Sequence, residues 1–259
     1  MIAPYGFQTA GRIRFGRGVA SEAVAAIRGF GARVLVVHGR DAARADWLVH
    51  GLASAGMALT GWPCAGEPDL SALEAALATV RAFGPDVVVG LGGGAAMDLG
   101  KALAALAQAP GGPMDHLEVV GRGLPMAHPI LPFVAIPTTA GTGSEVTRNA
   151  VIGVPARGVK VSLRDERMLA RLALVDPALT DATPPAVTLA SGLDAVVQVI
   201  EPYVSLRANP VTDALCLAAI PMGLQALARL IEAPADPAAR DAMAQVSLTG
   251  GIALSNAGL

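Results

Sequence analysis

The chain has few aromatic residues, 3% of its 259 positions, and little charge, 15%. Its charges nearly cancel, at net −2, so there is no electrostatic basis for holding nucleic acid or an anionic membrane. It has only two cysteines, Cys64 and Cys216, far apart and at no metal or redox spacing. Reduced thiols in a cytoplasmic protein are therefore expected. Histidine is scarce too: His38, His50, His116 and His128 all lie in the first half, which leaves the second half without an imidazole. No apolar run reaches the roughly 18 residues of a membrane span, because Asp98, Lys101, Asp194 and similar charges interrupt each one. The N-terminus is expected to carry no secretion signal, since Arg12, Arg14 and Arg17 sit in a polar, glycine-broken stretch. No low-complexity tract or internal repeat is evident. What the chain has in quantity is small apolar residues: hydrophobic positions reach 53%, enough for a large core in one large or two ordinary domains.

The apolar pattern divides the chain. Residues 1–19 read as an extended or hairpin start, and 21–30 as a short helix. Strands follow at 33–38, 57–62 and 87–91, alternating with helices that begin near Asp41, near Ser71 (a Ser71/Glu74 capping box) and at Ala95. Strand–helix alternation repeated three times predicts a parallel, doubly wound α/β sheet. Residues 110–130 read as a loop rich in Pro and Gly, 133–136 as a strand, 150–161 as a weaker strand pair and 172–175 as a last strand. Beyond Thr183-Pro184 helical patterns take over at 185–190, 192–205, 211–231 and 237–257, with Pro221 expected to kink the third. The boundary is placed near 180, giving an α/β domain over 1–180 and an all-helical domain over 181–259.

The chemistry gathers where strands end. Val87–Leu91 is a buried strand that runs directly into Gly92-Gly93-Gly94 and then a helix. Glycines let the backbone approach a phosphate, and the free N–H groups and positive dipole end of the helix face it. Lys101 follows about two turns on, and a nucleotide phosphate is the expectation; a ligand-free tight turn is the plainer alternative. After the first strand of the sheet, Gly39-Arg40 stands where dinucleotide folds often place an acid on the adenosine ribose. A cation there favours a 2′-phosphate, hence NADP, while Asp41 keeps NAD open and a solvated loop charge is the equally good plain reading of Arg40. Thr138, Thr139, Thr142 and Ser144 place four hydroxyls among Gly141 and Gly143 and read as a ligand loop. Asp194 and Gln198 share a helix face among apolar neighbours; the acid is either a cap near Ser191-Gly192 or a metal ligand.

Three segments together carry a resemblance. Gly92-Gly-Gly-Ala-Ala-Met-Asp98-Leu-Gly-Lys101 resembles the GGGSxxDxxK signature of the iron-containing (group III) alcohol dehydrogenases, in the dehydroquinate synthase-like superfamily. Pro137-Thr-Thr-Ala-Gly-Thr-Gly-Ser-Glu-Val-Thr147 is similar to their PTTxGTGSEvT loop, and Ser191–Ser205 to their metal-site helix. The resemblance implies a Rossmann-like nucleotide-binding domain, an all-α domain and a nicotinamide cofactor, NAD or NADP, between them. Gly92, Gly93, Gly94, Ala95 and Asp98 would hold the pyrophosphate region. Thr138, Thr139 and Thr142 would line the cofactor, and Lys160 would reach its ribose. Asp194 matches the first ligand of a divalent metal (Fe or Zn) and is the catalytic candidate. Gln198 stands where the family has a histidine, and Ala95 where it has a serine. The remaining two family ligands are histidines beyond a SNAGL-like segment, so the helical domain is expected to be incomplete and metal binding weak or absent. The expected activity is hydride transfer between a small alcohol or aldehyde and the cofactor, in a cytoplasmic homodimer. A metal-independent reductase resembling the maleylacetate reductases, and a catalytically silent nucleotide-binding module, are the alternatives.

Overall fold

The structure, a computed structural model, describes residues 3–258. Met1 and Ile2, the first residues of the expected extended start, lie outside them. Six strands form one fully parallel sheet: β1 (Ile13–Phe15), β2 (Arg33–Gly39), β3 (Ala58–Cys64), β4 (Val87–Gly92), β5 (Phe133–Pro137) and, counting the hairpin β6 (Asn149–Val154) and β7 (Val159–Arg164) in between, β8 (Leu172–Val175). The order across the sheet is β1-β8-β5-β4-β2-β3. The four intervening longer helices are α1 (Ala23–Arg28), α2 (Asp46–Ser54), α3 (Leu70–Phe83) and α4 (Gly94–Leu106); a one-turn α5 (Pro113–His116) sits in the long loop.

The continuous apolar strands are explained by burial on both faces. In β2, Val34 and Val36 face one core with α1 and α2, while Leu35 and Val37 face another with α3 and α4. Each fully buried valine contributes about 1.5–3 kcal/mol relative to exposure. Helix α4 lies close against the sheet because Gly90 and Gly100 leave room for the Phe133 ring: a Cβ at either would stand 2.8 Å from it. The chain passes from β2 to its neighbour β3 on one side, then returns to place β4 on the other. The crevice at the carboxyl ends of β2 and β4 is thus a topological switch point, where open α/β sheets bind ligands.

Three long helices follow, α6 (Pro185–Val204), α7 (Pro210–Glu232) and α8 (Pro237–Ala257). The two helices expected at 185–190 and 192–205 are one, because Ser191-Gly192 does not break the backbone pattern. Pro221 and Pro202 are accommodated inside α7 and α6. Helix α7 is long and apolar enough to cross a membrane by composition alone. It packs instead against α6 and α8, with Cys216, Ala219, Ala226, Leu227 and Leu230 buried. The α3 cap is Asp69, which accepts from Ala72 N–H at 2.8 Å, and not the expected Ser71. Arg240 donates from α8 to the Thr180 carbonyl at 2.5 Å, and Arg17 pairs with Asp181 and Asp241, joining the helices to the sheet.

Candidate functional site

Strand β4 delivers Gly92 to the switch point, and α4 starts at once. Its N-cap is Gly93, in extended backbone, with no side chain capping the helix and no acid in the first turn. The first-turn N–H groups are therefore left for a ligand. A cavity lies on each side of this turn. One, of about 260 Å³, is bounded by Gly39, Arg40, Asp41 and Arg44 and by Gly92, Gly93, Thr138 and Thr139. The other, of about 270 Å³, is bounded by Gly94, Ala95, Asp98 and Thr142 and by Glu67, Val151, Gly153 and Lys160. Of the cofactor candidates read from the sequence, Gly39, Arg40, Gly92, Gly93, Thr138 and Thr139 fall on the first wall and Gly94, Ala95, Asp98, Thr142 and Lys160 on the second, while Ser144 and Lys101 fall on neither.

The threonine loop closes over the glycine turn. Thr138 N–H donates to the Gly92 carbonyl at 2.8 Å. A Cβ on Gly94 would come within 2.6 Å of Thr142, and one on Gly93 within 3.2 Å of Thr139, so only the absence of side chains admits the two hydroxyls there. Gly143, at φ +56, crosses α8 at Gly251 with no room for a Cβ, and its N–H donates to Ser247 Oγ at 3.2 Å.

On the first wall Arg40 donates to the Ala65 carbonyl at 2.8 Å and Arg44 to the Leu179 carbonyl at 3.1 Å. Asp41 accepts from Ala43 N–H at 3.1 Å and is thereby engaged as a cap. On the second wall, Lys160 pairs with Glu67 across the mouth of the cavity. Asp98 lines this cavity, but both its oxygens already accept: Oδ1 from Ser144 Oγ at 2.6 Å, Oδ2 from Val151 N–H at 3.1 Å.

Lys101 departs from the sequence expectation. It lines neither cavity and is 1% exposed, with Nζ donating to the Ser144 carbonyl at 2.9 Å and to Thr147 Oγ1 at 2.8 Å. Burial pulls its ammonium pKa down, while Asp98 and Glu145 oppose that shift. Glu145, also buried, is pushed up to about 7 by desolvation, with its own backbone N–H and Lys101 holding it lower. Neither Glu145 nor Arg44 was singled out from the sequence. The acid's position inside the hydroxyl-rich loop, next to the apolar Val146, was the signal for it.

Asp194 is in the middle of α6, so it is not a cap near Ser191-Gly192. It is solvent-exposed, although local desolvation by its apolar neighbours raises its carboxyl pKa. Gln198 is buried and donates Nε2 to the Thr142 carbonyl at 2.8 Å. One carboxylate and one engaged amide do not make a metal site, and among the described residues no group of three His, Cys, Asp or Glu side chains could hold an ion. The residues present here do not fit a metal.

The fold and the glycine–threonine crevice define a two-part protein, an α/β layer set against a helical bundle. The profile described as "Iron-containing alcohol dehydrogenase" matches residues 10–177, and "Fe-containing alcohol dehydrogenase family, C-terminal" matches 188–259. The chain belongs to the iron-containing alcohol dehydrogenase family. It is 38% identical over 213 residues to the probable alcohol dehydrogenase EutG of Escherichia coli, covering 82% of this chain and 53% of that protein. It is 40% identical over 193 residues to long-chain-alcohol dehydrogenase 1 of Geobacillus thermodenitrificans, covering 74% and 48%. Among solved structures, a 1,3-propanediol oxidoreductase superposes with a TM-score of 0.91 at 30% identity, covering 99% of this chain and 68% of that one. A sulfoacetaldehyde reductase from Bifidobacterium kashiwanohense, solved with NAD+, superposes with a TM-score of 0.87 at 28% identity, covering 98% and 68%. The chain spans about half the length of the curated relatives it matches.

Proposed function

We propose that this protein is the nucleotide-binding portion of an NAD(P)-dependent oxidoreductase that moves a hydride between a small alcohol or carbonyl compound and the nicotinamide ring. The observation that carries it is the uncapped start of α4 between two cavities, with Thr139 and Thr142 packed onto Gly93 and Gly94. The pyrophosphate sits at the helix start, where N–H groups and dipole favour it. The adenosine half takes the Gly39–Arg44 cavity and the nicotinamide half the Gly94–Lys160 cavity. Lys160 must then leave Glu67 to reach a ribose hydroxyl. When bound, the cofactor supplies or accepts the hydride; the chain binds it, orients it and walls it from water.

Arg40 and Arg44 on the adenosine side, with Asp41 engaged as a cap, favour a 2′-phosphate and so NADPH over NADH. Because Asp194 and Gln198 do not form a metal site, no step is assigned to a metal. The exposed stripe Leu193, Val197, Ile200 and Val204 on α6 supports a homodimer, which sedimentation velocity tests.

Fluorescence titration with NADPH and NADH tests the reading, together with turnover of short alcohols and aldehydes. Saturable binding with tighter NADPH is expected. Failure of both nucleotides to bind at about millimolar concentration, where binding energy falls to only about 4 kcal/mol, would refute it. Binding without turnover under any condition would favour a silent module.

A further inference from the structure

We propose that Lys101 is the positioning residue that sets the threonine loop for the nicotinamide half of the cofactor. The inference rests on the nucleotide-binding reading above. An ammonium group has three donors and no acceptor, and burying it is costly unless all three are used. Here they are: Nζ reaches the Ser144 carbonyl, Thr147 Oγ1 and, at 3.3 Å, Asp98 Oδ1. No donor is left for a phosphate. Two of the three acceptors belong to the loop that follows β5.

The third partner extends the same arrangement. Asp98 stands one turn before Lys101 on α4 and accepts from Ser144 Oγ and Val151 N–H. A single face of α4 thus fixes the end of the threonine loop and the start of β6. Val151 and Gly153 of β6, with Thr142 of the loop, form the wall of the second cavity. The link from anchor to wall is short, because Ser144 N–H donates to Thr142 Oγ1 at 3.3 Å. Charged groups facing the ammonium are Asp98 from its own helix and Glu145 from the loop. The helical side holds the loop separately, through Gln198 on the Thr142 carbonyl and Ser247 on the Gly143 N–H. Loss of Lys101 therefore loosens only the α/β side of the loop, where Asp98 still holds Ser144 Oγ, and leaves the helical side in place.

None of these contacts is made to a residue of the Gly39–Arg44 cavity: its two threonines from the same loop, Thr138 and Thr139, are held at the other end, by the Gly92 carbonyl and against Gly93. A positioning role for Lys101 consequently has a signature that general destabilisation lacks. It acts on one half of the dinucleotide and spares the other.

The test is Lys101→Met, which keeps the length and apolar stem of the side chain and removes its charge and donors. Wild type and variant are titrated with NADPH and with ADP, the second probing the adenosine and pyrophosphate positions without the nicotinamide half. Thermal unfolding checks that the variant is folded. The NADPH dissociation constant is expected to rise at least about tenfold, the equivalent of about 1.4 kcal/mol, while that of ADP stays within about twofold. An unchanged NADPH constant overturns the inference, and so does a parallel loss of ADP and NADPH. If Lys101→Met does not fold, Thr147→Val carries the test by the same criteria, since it removes one acceptor and leaves the charge in place. Wild-type protein that binds neither probe refutes the nucleotide-binding reading itself, and the inference with it. Wild-type binding of both with no selective loss in the variants refutes the inference alone.

Discussion

Glu145 is a carboxyl group that the fold makes costly to ionise. It lies in the single turn Ser144–Val146, 3% exposed, with Val146 beside it fully buried. Its countercharge, Lys101, is already engaged by Ser144, Thr147 and Asp98. Desolvation therefore dominates, and the pKa rises from 4.5 to about 7. The sign follows directly. Below pH 4.5 the group is protonated in both folded and unfolded chains and costs nothing. Between the two values the unfolded chain releases the proton and the folded chain keeps it. Above pH 7 the folded chain bears the whole cost of burying the charge. A shift of this size corresponds to about 3 kcal/mol of stability lost as pH rises through that window. Glu145→Gln stays neutral throughout and should escape that loss. Urea unfolding at pH 5 and pH 8 measures it: relative to wild type, the variant should gain up to about 3 kcal/mol more at pH 8 than at pH 5, or roughly 5 °C in Tm. A difference that does not change with pH would refute the reasoning. A variant less stable at pH 8 than at pH 5, relative to wild type, would show instead that Lys101 needs an ionised Glu145.

Other outcomes follow from the same geometry. A Cβ on Gly39 meets nothing within 4 Å, so Gly39→Asp should fold normally; its carboxylate should weaken NADPH roughly tenfold or more and tighten NADH, read as a ratio of dissociation constants. Gly143→Ala forces a side chain into left-handed backbone with its Cβ 2.5 Å from the Ser247 carbonyl, and should cost at least about 2 kcal/mol in denaturant unfolding. Gln198→Ala leaves the Thr142 carbonyl without its donor and should cost about 1–3 kcal/mol by the same assay. Zinc added to the 259-residue chain should leave Tm unchanged, because Asp194 and an engaged Gln198 cannot hold it.

The sheet was legible because its strands are buried on both faces. Val34–Val37 and Val87–Val89 read as unbroken apolar runs for that reason, and Gly92-Gly93-Gly94 marked the uncapped start of α4 at the switch point. Helix limits were less legible where a local signal lost to packing. Ser191-Gly192 suggested a break, but Gly192 packs against Leu227 and Met243 and the helix runs through. Ser71 suggested a cap, but Asp69, two residues earlier, provides the stronger acceptor. At the site, the residue types were readable and their directions were not. Lys101 is three residues after Asp98, hence on the same face, and the sequence alone does not say whether that face meets the cavity or the loop behind it. The raised pKa of Glu145 is likewise a product of tertiary burial, which no spacing reveals.

The threonine loop has a consequence that neither domain would have alone. Helix α4 holds it through Lys101 and Asp98, α6 through Gln198, and α8 through Ser247 and the close crossing at Gly251. A wall of the Gly94–Lys160 cavity is therefore also part of the contact between sheet and helices. Any ligand that orders Thr142 must stabilise the helices that hold its carbonyl and its neighbour's N–H. At a hundredfold excess over the dissociation constant, binding adds about 2.7 kcal/mol to the folded state. Hydrogen exchange should show that gain as slower exchange in α6 near Gln198 and α8 near Gly251, as well as at the start of α4, when NADPH is added. ADP, confined to the other wall, should protect β2 and α4 and leave α6 and α8 little changed. Protection by NADPH limited to the α/β residues would mean that the loop moves independently of the helices it touches, and that Gln198 and Ser247 hold it only in the absence of ligand.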